Sequence, residues 1–452
     1  MSGQHADQLC LPFFSQRQLI VQRHHAQITS DAGLLPIGQL DQRWRFTERM
    51  AACLSDARND PNQSISVMLR QRLYGILADY DDCNDHDSLR DEPVFKLLAG
   101  RLPQDAPLAS QPTLSRFENS VTIEALWKLL DFLVVTGLER LGTRNGGRLP
   151  GQVILDLDPT DDPTHGHQQL SLFHGYYEQH QYFPLLISEP TTKHIFYAHL
   201  RPGSVHAALG ADENLMFVVQ RLRKDRHDIR IHARGDSGFG VPWMYQTCEE
   251  HGLSYTFGIA GNSRLQAAAR SLLDKAVRQY HQTGRKQRLF TAFSYQADSW
   301  PRARTIVAKA ECQDCGTNTR FVVTSLPVRS IRQAQRVYDD YIQRGSSEQR
   351  MDELKNGLHL GRLSCHRFVA NFWRLLLHTA AFNLLNGLRD HDAIPAELRS
   401  AQPATWRNRL IKVAATVVQT TRRVVIQLAA QWPYWKIYQA VVRRACAFPN
   451  GP

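Results

Sequence analysis

Val153-Ile-Leu-Asp-Leu-Asp158, closed by Pro159 and Thr160, is the stretch on which the fold turns. Apart from its two aspartates it is β-branched or apolar, which suits a strand covered by neighbours. Alternate residues of a strand share a face, so Ile154, Asp156 and Asp158 point one way and Val153, Leu155 and Leu157 the other. A carboxylate buried without compensation is strongly unfavourable. Asp158 avoids that cost at the strand's C-terminal end, where its side chain emerges beside a loop.

Downstream, Tyr182–Ser188 and His194–His199 read as two more strands. Asp212–Lys224 reads as a helix with Leu215, Val218, Val219 and Leu222 on one face. A strand, Asp228–Arg234, leads into Gly235-Asp236-Ser237-Gly238, and a helix over Val241–His251 and a strand over Ser254–Ile259 close the series. Three strands, then helix, strand, helix, strand is the order expected of an α/β, ribonuclease-H-like core, a mixed sheet with flanking helices. Upstream, a short extended start at Gln18–Arg23 gives way to helical patterns over Asp31–Leu54 and Ser64–Leu77. In Ala109-Ser-Gln-Pro-Thr-Leu-Ser-Arg-Phe-Glu-Asn119, Gln111 or Thr113 can cap a short helix presenting Ser115 and Arg116. That suits a helix-turn-helix DNA reader and a plain helical bundle equally well. Past 262 come a polar helix-prone segment, strands at Leu289–Tyr295, Arg304–Ala310 and Arg320–Leu326, and helices at Ile331–Ile342 and Phe368–Leu388.

The chain therefore divides into a mostly helical N-terminal region (1–145), the first part of the ribonuclease-H-like core (146–262), a β-rich insertion (263–328), the completion of the core (329–395) and a basic helical tail (396–452). The formal net charge of +11 favours a polyanionic partner, nucleic acid ahead of anionic membrane, with simple solubility as the plain alternative. From Ala401 the tail carries Arg407, Arg409, Lys412, Arg422, Arg423, Lys436, Arg443 and Arg444 and no acidic residue. These cations can track phosphates, with Trp406, Trp432, Tyr434 and Trp435 packing or stacking nearby. Val413, Val417, Val424 and Leu428 suggest an amphipathic helix there. Met1–Gln8 lacks a basic-then-apolar leader, and no run approaches ~18 uncharged apolar residues, so secretion and a membrane span are not expected. The scattered cysteines suit a reducing cytoplasm. Cys312 and Cys315 fit a turn at least as well as a zinc site, and His165, His167, His174 and His180 match no strong ligand pattern and read as a DNA-facing loop.

Asp158 and Asp236, at the ends of neighbouring strands, can converge on one pocket. Metal-dependent phosphoryl-transfer sites are assembled in this way, with paired divalent ions about 3.5–4 Å apart. Aspartates that merely cap the next helix occupy the same kind of position, and Asp161 and Asp162 blur the first cluster. A third element is Tyr341-Ile-Gln-Arg344-Gly-Ser-Ser-Glu348-Gln-Arg-Met-Asp-Glu-Leu-Lys355. Seven residues make nearly two helical turns, so Tyr341, Glu348 and Lys355 fall on one stripe, with Arg344 four before Glu348. Cations beside a carboxylate make sense if phosphates lie along that face. If Gly345-Ser346-Ser347 starts a new helix, Tyr341 and Arg344 move onto the preceding segment. A solvated helix with ordinary salt bridges is the alternative.

Together the three segments resemble the DDE transposases of bacterial insertion sequences, in particular the group with a Tyr-x2-Arg-x3-Glu-x6-Lys signature. Tyr341, Arg344, Glu348 and Lys355 match that spacing. Asp158-Pro-Thr160 is similar to the family's first catalytic strand, and Arg234-Gly-Asp236-Ser-Gly-Phe to its second. Asp31-Ala-Gly-Leu-Leu, Asn84-Asp-His-Asp, Ser110-Gln-Pro-Thr-Leu-Ser-Arg, Leu155-Asp-Leu-Asp-Pro-Thr-Asp-Asp-Pro-Thr-His-Gly and Gly175-Tyr-Tyr look like one subgroup, so the likeness runs from about residue 15 to 430. Pro159 departs from the small residue frequent after the first Asp.

The resemblance implies that Asp158, Asp236 and Glu348 are the catalytic metal ligands for Mg2+, with Mn2+ as substitute, two ions per active site. It implies that Tyr341, Arg344 and Lys355 hold DNA phosphates. It also implies cutting and joining of double-stranded DNA at the ends of a mobile element, at least a homodimer in the synaptic complex, and a bacterial cytoplasmic, nucleoid-associated setting. A transposase-derived DNA-binding protein without catalysis, or another ribonuclease-H-like metal nuclease, are the competing readings.

Overall fold

The structure, a computed structural model, describes residues 8–451 except 12, 14, 15, 18, 24 and 390–393. Of the sequence readings, Met1–Asp7 of the polar start and Gln18 of the extended start lie outside the described residues. The chain opens with a hairpin, β1 (Gln8–Leu11) paired with β2 (Leu19–Gln22), and a short β3 (Gln27–Thr29). Helices follow: α1 (Leu35–Trp44), α2 (Phe46–Ala52), α3 (Ile65–Leu77), α4 (His86–Leu89), α5 (Pro93–Leu98), α6 (Gln111–Ser120) and α7 (Ile123–Arg144). Ser64, Glu92 and Thr122 each accept a backbone N–H of the first turn they precede, starting α3, α5 and α7. The cap of α6 is Ser110 rather than Gln111 or Thr113, with Pro112 fixing the first turn. Glu118 anchors α6 in the core between the guanidiniums of Arg72 and Arg374, at 2.6 and 2.8 Å.

Next come β4 (Gln152–Pro159), β5 (Asp162–Pro163), β6 (Leu172–His174), β7 (Gln179–Tyr182), β8 (Leu185–Ser188), β9 (Ile195–His199), α8 (Ala211–Asp225), β10 (Arg230–Gly235), α9 (Pro242–Glu250) and β11 (Ser254–Ile259). The run read as one strand over Tyr182–Ser188 is two. Pro184 lacks the N–H a ladder needs, so β7 ends before it and joins β5 and β6 in a small separate sheet. In the main sheet the order is β9-β8-β4-β10-β11, with β10 parallel to both β4 and β11 and β8 antiparallel to β4. That is the mixed sheet expected of a ribonuclease-H-like core, and α8 and α9 make the crossovers that parallel neighbours require.

After α10 (Ser263–Thr283), the strands expected as an insertion, β12 (Gln287–Tyr295), β13 (Arg304–Gln313) and β14 (Gly316–Thr324), do form. They extend the main sheet rather than standing apart, because β14 pairs antiparallel with β11. Cys312 is buried on β13 while Cys315 is exposed in the tight turn to β14. The chain then runs through α11 (Ile331–Ile342), α12 (Gly345–Asp352), a wider π-helical turn (Glu353–Gly357) and α13 (Phe368–Arg389). α13 is buried nearly all round and lies between the N-terminal helices and the sheet, packing on α3, α7 and β9. Asn383, deep on α13, takes the Ile195 N–H at 3.0 Å and donates to the Ile195 carbonyl at 2.8 Å, satisfying a backbone that has no further strand beside it.

The tail departs from its sequence reading. After α14 (Ala396–Arg399) and α15 (Pro403–Trp406), the segment expected as an amphipathic helix forms β15 (Ala415–Gln419) and β16 (Val424–Leu428), and β15 pairs with β3. Its residues Thr416, Val417, Val418, Val424, Val425 and Ile426 are β-branched, and burial alternates from Ala415 to Val418, a period of two rather than 3.6. α16 (Trp435–Cys446) returns the chain to α1, and Phe448 packs on Trp44 with ring centroids 5.4 Å apart. Among the described residues no helix is long and apolar enough to cross a membrane.

Candidate functional site

Register builds the floor of the site. Asp156 on β4 stands beside Arg234 on β10, its direct partner in the parallel ladder. Arg234 grips both Asp156 oxygens, at 2.7 and 2.9 Å, and Arg350 from α12 adds a third contact at 3.1 Å. Asp156 is fully buried but amply countered by charge, which meets the cost of burying it. Two residues on, Asp158 shares that face at the strand end and is only 5% exposed. Burial, with Asp156 and Asp236 nearby, pushes its carboxyl up to about 7 against the opposing pull of Arg344 and Ser347.

Asp236 follows β10 directly. One oxygen accepts the Gly238 N–H at 2.8 Å, so the aspartate caps the turn after its strand, close enough to Asp158 to help raise that carboxyl. Gly258 on β11 keeps this corner open. A Cβ there would sit 2.8 Å from the Tyr341 hydroxyl and 2.8 Å from the Ser237 nitrogen, so only glycine lets the α11 phenol reach the end of β10.

The helical segment does not form one ideal stripe. α12 starts afresh at Gly345, and Lys355 lies in the π-helical turn, so Tyr341 and Arg344 belong to the end of α11 and the junction. The junction nevertheless delivers them to the carboxylates. Arg344 donates to Asp158 at 2.5 Å and to Glu348 at 3.2 Å, while the hydroxyl of Ser347 bonds the other Asp158 oxygen. The Arg344 guanidinium lies 5.9 Å from the Tyr341 ring centroid. Burial works against its charge, but Asp158, Tyr341, Asp236 and Glu348 together raise its pKa above the ordinary arginine value. One cation thus feels all three carboxylates. Lys355 instead pairs with Asp161 at 2.8 Å. Among the described residues no three His, Cys, Asp or Glu side chains are gathered closely enough to share one ion, and Arg344 stands in the middle of the set.

A family model described as "Transposase DDE domain group 1" matches residues 11–448. The chain belongs to that family. Comparison of this DDE-family chain with curated proteins found no match. Among solved structures it is similar to a piggyBac transposase in a synaptic complex with hairpin DNA, at 11% identity over 79% of this chain and 74% of that one, with a TM-score of 0.43. It is also similar to a Mos1 transposase paired-end complex with the left transposon end, at 13% identity over 44% and 61% of the two chains, with a TM-score of 0.17.

Sequence reasoning about this DDE-family chain singled out Asp158, Asp236, Tyr341, Arg344 and Glu348, and the fold brings them to one end of β4 and β10. Glu348 differs from the two aspartates in being largely exposed, its side chain 71% accessible. Ser115 is half-buried and Arg116 exposed on α6, and Arg422 and Arg423 are exposed in the turn between β15 and β16, all apart from the carboxylates. Ser347 and Arg350 were missed, although both lie inside the signature segment. The signal was available, since Asp156 had to meet cations somewhere. Asp162 was also missed as an unusual group: neither oxygen has a hydrogen-bond partner, and burial pushes it up to about 8.

Proposed function

We propose that this protein is a transposase of the Tyr-Arg-Glu-Lys signature group, encoded by a bacterial insertion sequence, that cuts DNA at the element's terminal repeats and joins the freed ends to target DNA. The observation that carries the reading is one guanidinium, that of Arg344, held among Asp158, Asp236 and Glu348. A structural ion pair needs one carboxylate per cation. Three around one leave a surplus of negative charge at the ends of two core strands, and a cation-binding role accounts for it.

The donor set fits the divalent ions of this family. All three groups offer hard oxygen donors, the kind Mg2+ and Mn2+ take, and the set already holds a positive charge. Two such ions would supply Lewis-acid stabilisation of the attacking and leaving oxygens. Asp158, Asp236 and Glu348 are the residues that would hold them. Tyr341, Arg344 and Lys355 then hold phosphate oxygens, Arg344 and Lys355 exchanging carboxylate partners for other anions. The helical region 1–145, through Ser115 and Arg116, and the 396–452 tail, through Arg422 and Arg423, contact the duplex beyond the cleavage point. Holding two element ends together calls for at least a dimer on DNA.

The test is a cleavage-and-joining assay on duplexes carrying the repeats that flank the encoding element, with Mg2+ or Mn2+. Metal-dependent cutting at the repeat boundary followed by joining, lost in Asp236→Ala and Glu348→Ala while DNA binding persists, is the expected outcome. Binding without cutting under either metal would sink the reading.

A further inference from the structure

The main sheet ends differently at its two sides. At β9 the backbone is met by Asn383 of α13. At β12, the other edge, no strand pairs with the outer side among the described residues. An open edge presents a row of N–H and C=O groups ready to take a further strand, and proteins usually blunt it with charges, a proline or a bulge. β12 has little of this protection. Its nine residues pair with β13 in unbroken register, without a bulge. Beyond Arg288, the run Leu289-Phe-Thr-Ala-Phe-Ser-Tyr295 holds no charge and no proline.

A groove of about 560 Å3 lies between α10 and this strand, with Ala268, Ser271, Leu272 and Lys275 on one side and Thr291 and Phe293 on the other. Ala268 and Ser271 are small and exposed, so the groove has room for side chains of an added strand. The strand that matches it is β12 itself. Turned antiparallel about Thr291, two copies overlap along all nine residues. On the α10 side Leu289 then stands opposite the partner's Phe293, and Thr291 opposite the partner's Thr291. On the α11 side Phe290 meets the partner's Ala292 and Arg288 meets the partner's Ser294. Apolar groups thus face one another and no like charges are opposed. The basic entry to the strand, Arg285-Lys286, lies toward the partner's exit, which carries the exposed carboxylate of Asp298. We propose that the protein forms a symmetric dimer without DNA by pairing β12 with the β12 of a second copy, joining two eight-stranded sheets into one. This goes beyond the transposase reading and does not depend on it.

The test is sedimentation equilibrium of the full chain without DNA. The samples are wild type, Thr291→Lys, Thr291→Glu, an equimolar mixture of those two, and Val425→Lys on β16, an edge of the small C-terminal sheet. Thr291 sits on the two-fold axis, so each single variant sets like charges against each other and the mixture sets opposite ones. Thr291 is half-buried on the open groove, so both replacements should keep the fold, read as an unchanged far-UV spectrum. Wild type and Val425→Lys should be dimers, and each Thr291 variant should dimerise about tenfold or more weakly. The mixture should return to within about threefold of wild type. A monomeric wild type would leave the edge to some other extended chain and overturn the proposal. So would unchanged affinity in either Thr291 variant, a mixture no tighter than its components, or loss of the dimer in Val425→Lys. None of these outcomes bears on cutting and joining, which the cleavage assay tests separately.

Discussion

Glu118 and Asp158 are both buried carboxylates in contact with guanidinium groups, and they end at opposite extremes. Burial pushes each up, but Arg72 and Arg374 hold Glu118 down at about 2, while Asp158 rises to about 7. The difference is one of charge balance. Glu118 has two cations to itself. Asp158 shares Arg344 with Glu348 and Asp236 and has Asp156 close behind it. A structural ion cluster is finished by its own side chains, whereas the three carboxylates that share Arg344 at the end of β4 are, on the proposed reading, where a metal ion would add the further positive charge.

The sharpest way to break this contrast is to remove a carboxylate from each side. Asp158→Asn should fold and lose DNA cleavage by about a thousandfold or more, since a metal-held transition state is stabilised by several kcal/mol. Glu118→Gln should instead lose about 3–5 kcal/mol of stability in a denaturant titration, because two guanidiniums are left buried beside a neutral amide. Arg344→Ala should lower the melting temperature in metal-free buffer and enlarge the stabilisation gained on adding Mn2+. If Arg344 is an ordinary structural arginine, the metal response will not change.

The pH dependence of stability sharpens the comparison further. Glu118, depressed in the fold, contributes stability that is present above its ordinary value near 4.5 and lost as pH falls through about 2. Asp162, raised to about 8, contributes stability that is present below its ordinary value near 3.8 and lost as pH rises through about 8. Asp162→Asn should therefore flatten the decline in melting temperature between about pH 4 and pH 8, and an unchanged slope would remove Asp162 from the account. The smallest effect belongs to Arg422→Ala combined with Arg423→Ala. It should weaken duplex binding a few-fold and lower the log–log salt slope by about one or two, read by fluorescence anisotropy across salt concentrations.

Local pattern carried much of the fold. The strand over Val153–Asp158, the helices over Asp212–Lys224 and Ile331–Ile342 and the strand over Ser254–Ile259 lie where period and burial put them, within a residue or two. Errors came where a local rule had a competitor. Pro184 split one apparent strand, while of the two readings left open at Gly345 the helix restart is the one that forms. The valines at 413–428 satisfied a loose helical spacing while their β-branched character, and an open partner at β3, selected a hairpin. The helix-start readings at Gln111 and Thr113 missed Ser110 by one or three residues, because any of these residue types can begin a turn.

What the sequence determined by itself is the order of elements through most of the core and the placing of Asp158 and Asp236 at the ends of two strands. Both follow from periodicity, which acts over a few residues; the cost of burying a carboxylate did not decide them, since Asp156 is buried mid-strand and Asp158 is only 5% exposed. Tertiary structure alone decided that Arg234 and Arg350 counter Asp156 and that Arg344 lies between Asp158 and Glu348. Arg344 and Arg350 reach their partners across 186 and 194 residues of chain. Over that separation no local propensity selects a partner. Sheet register and helix packing bring the charges together, and the electrostatic consequence exists only once they have.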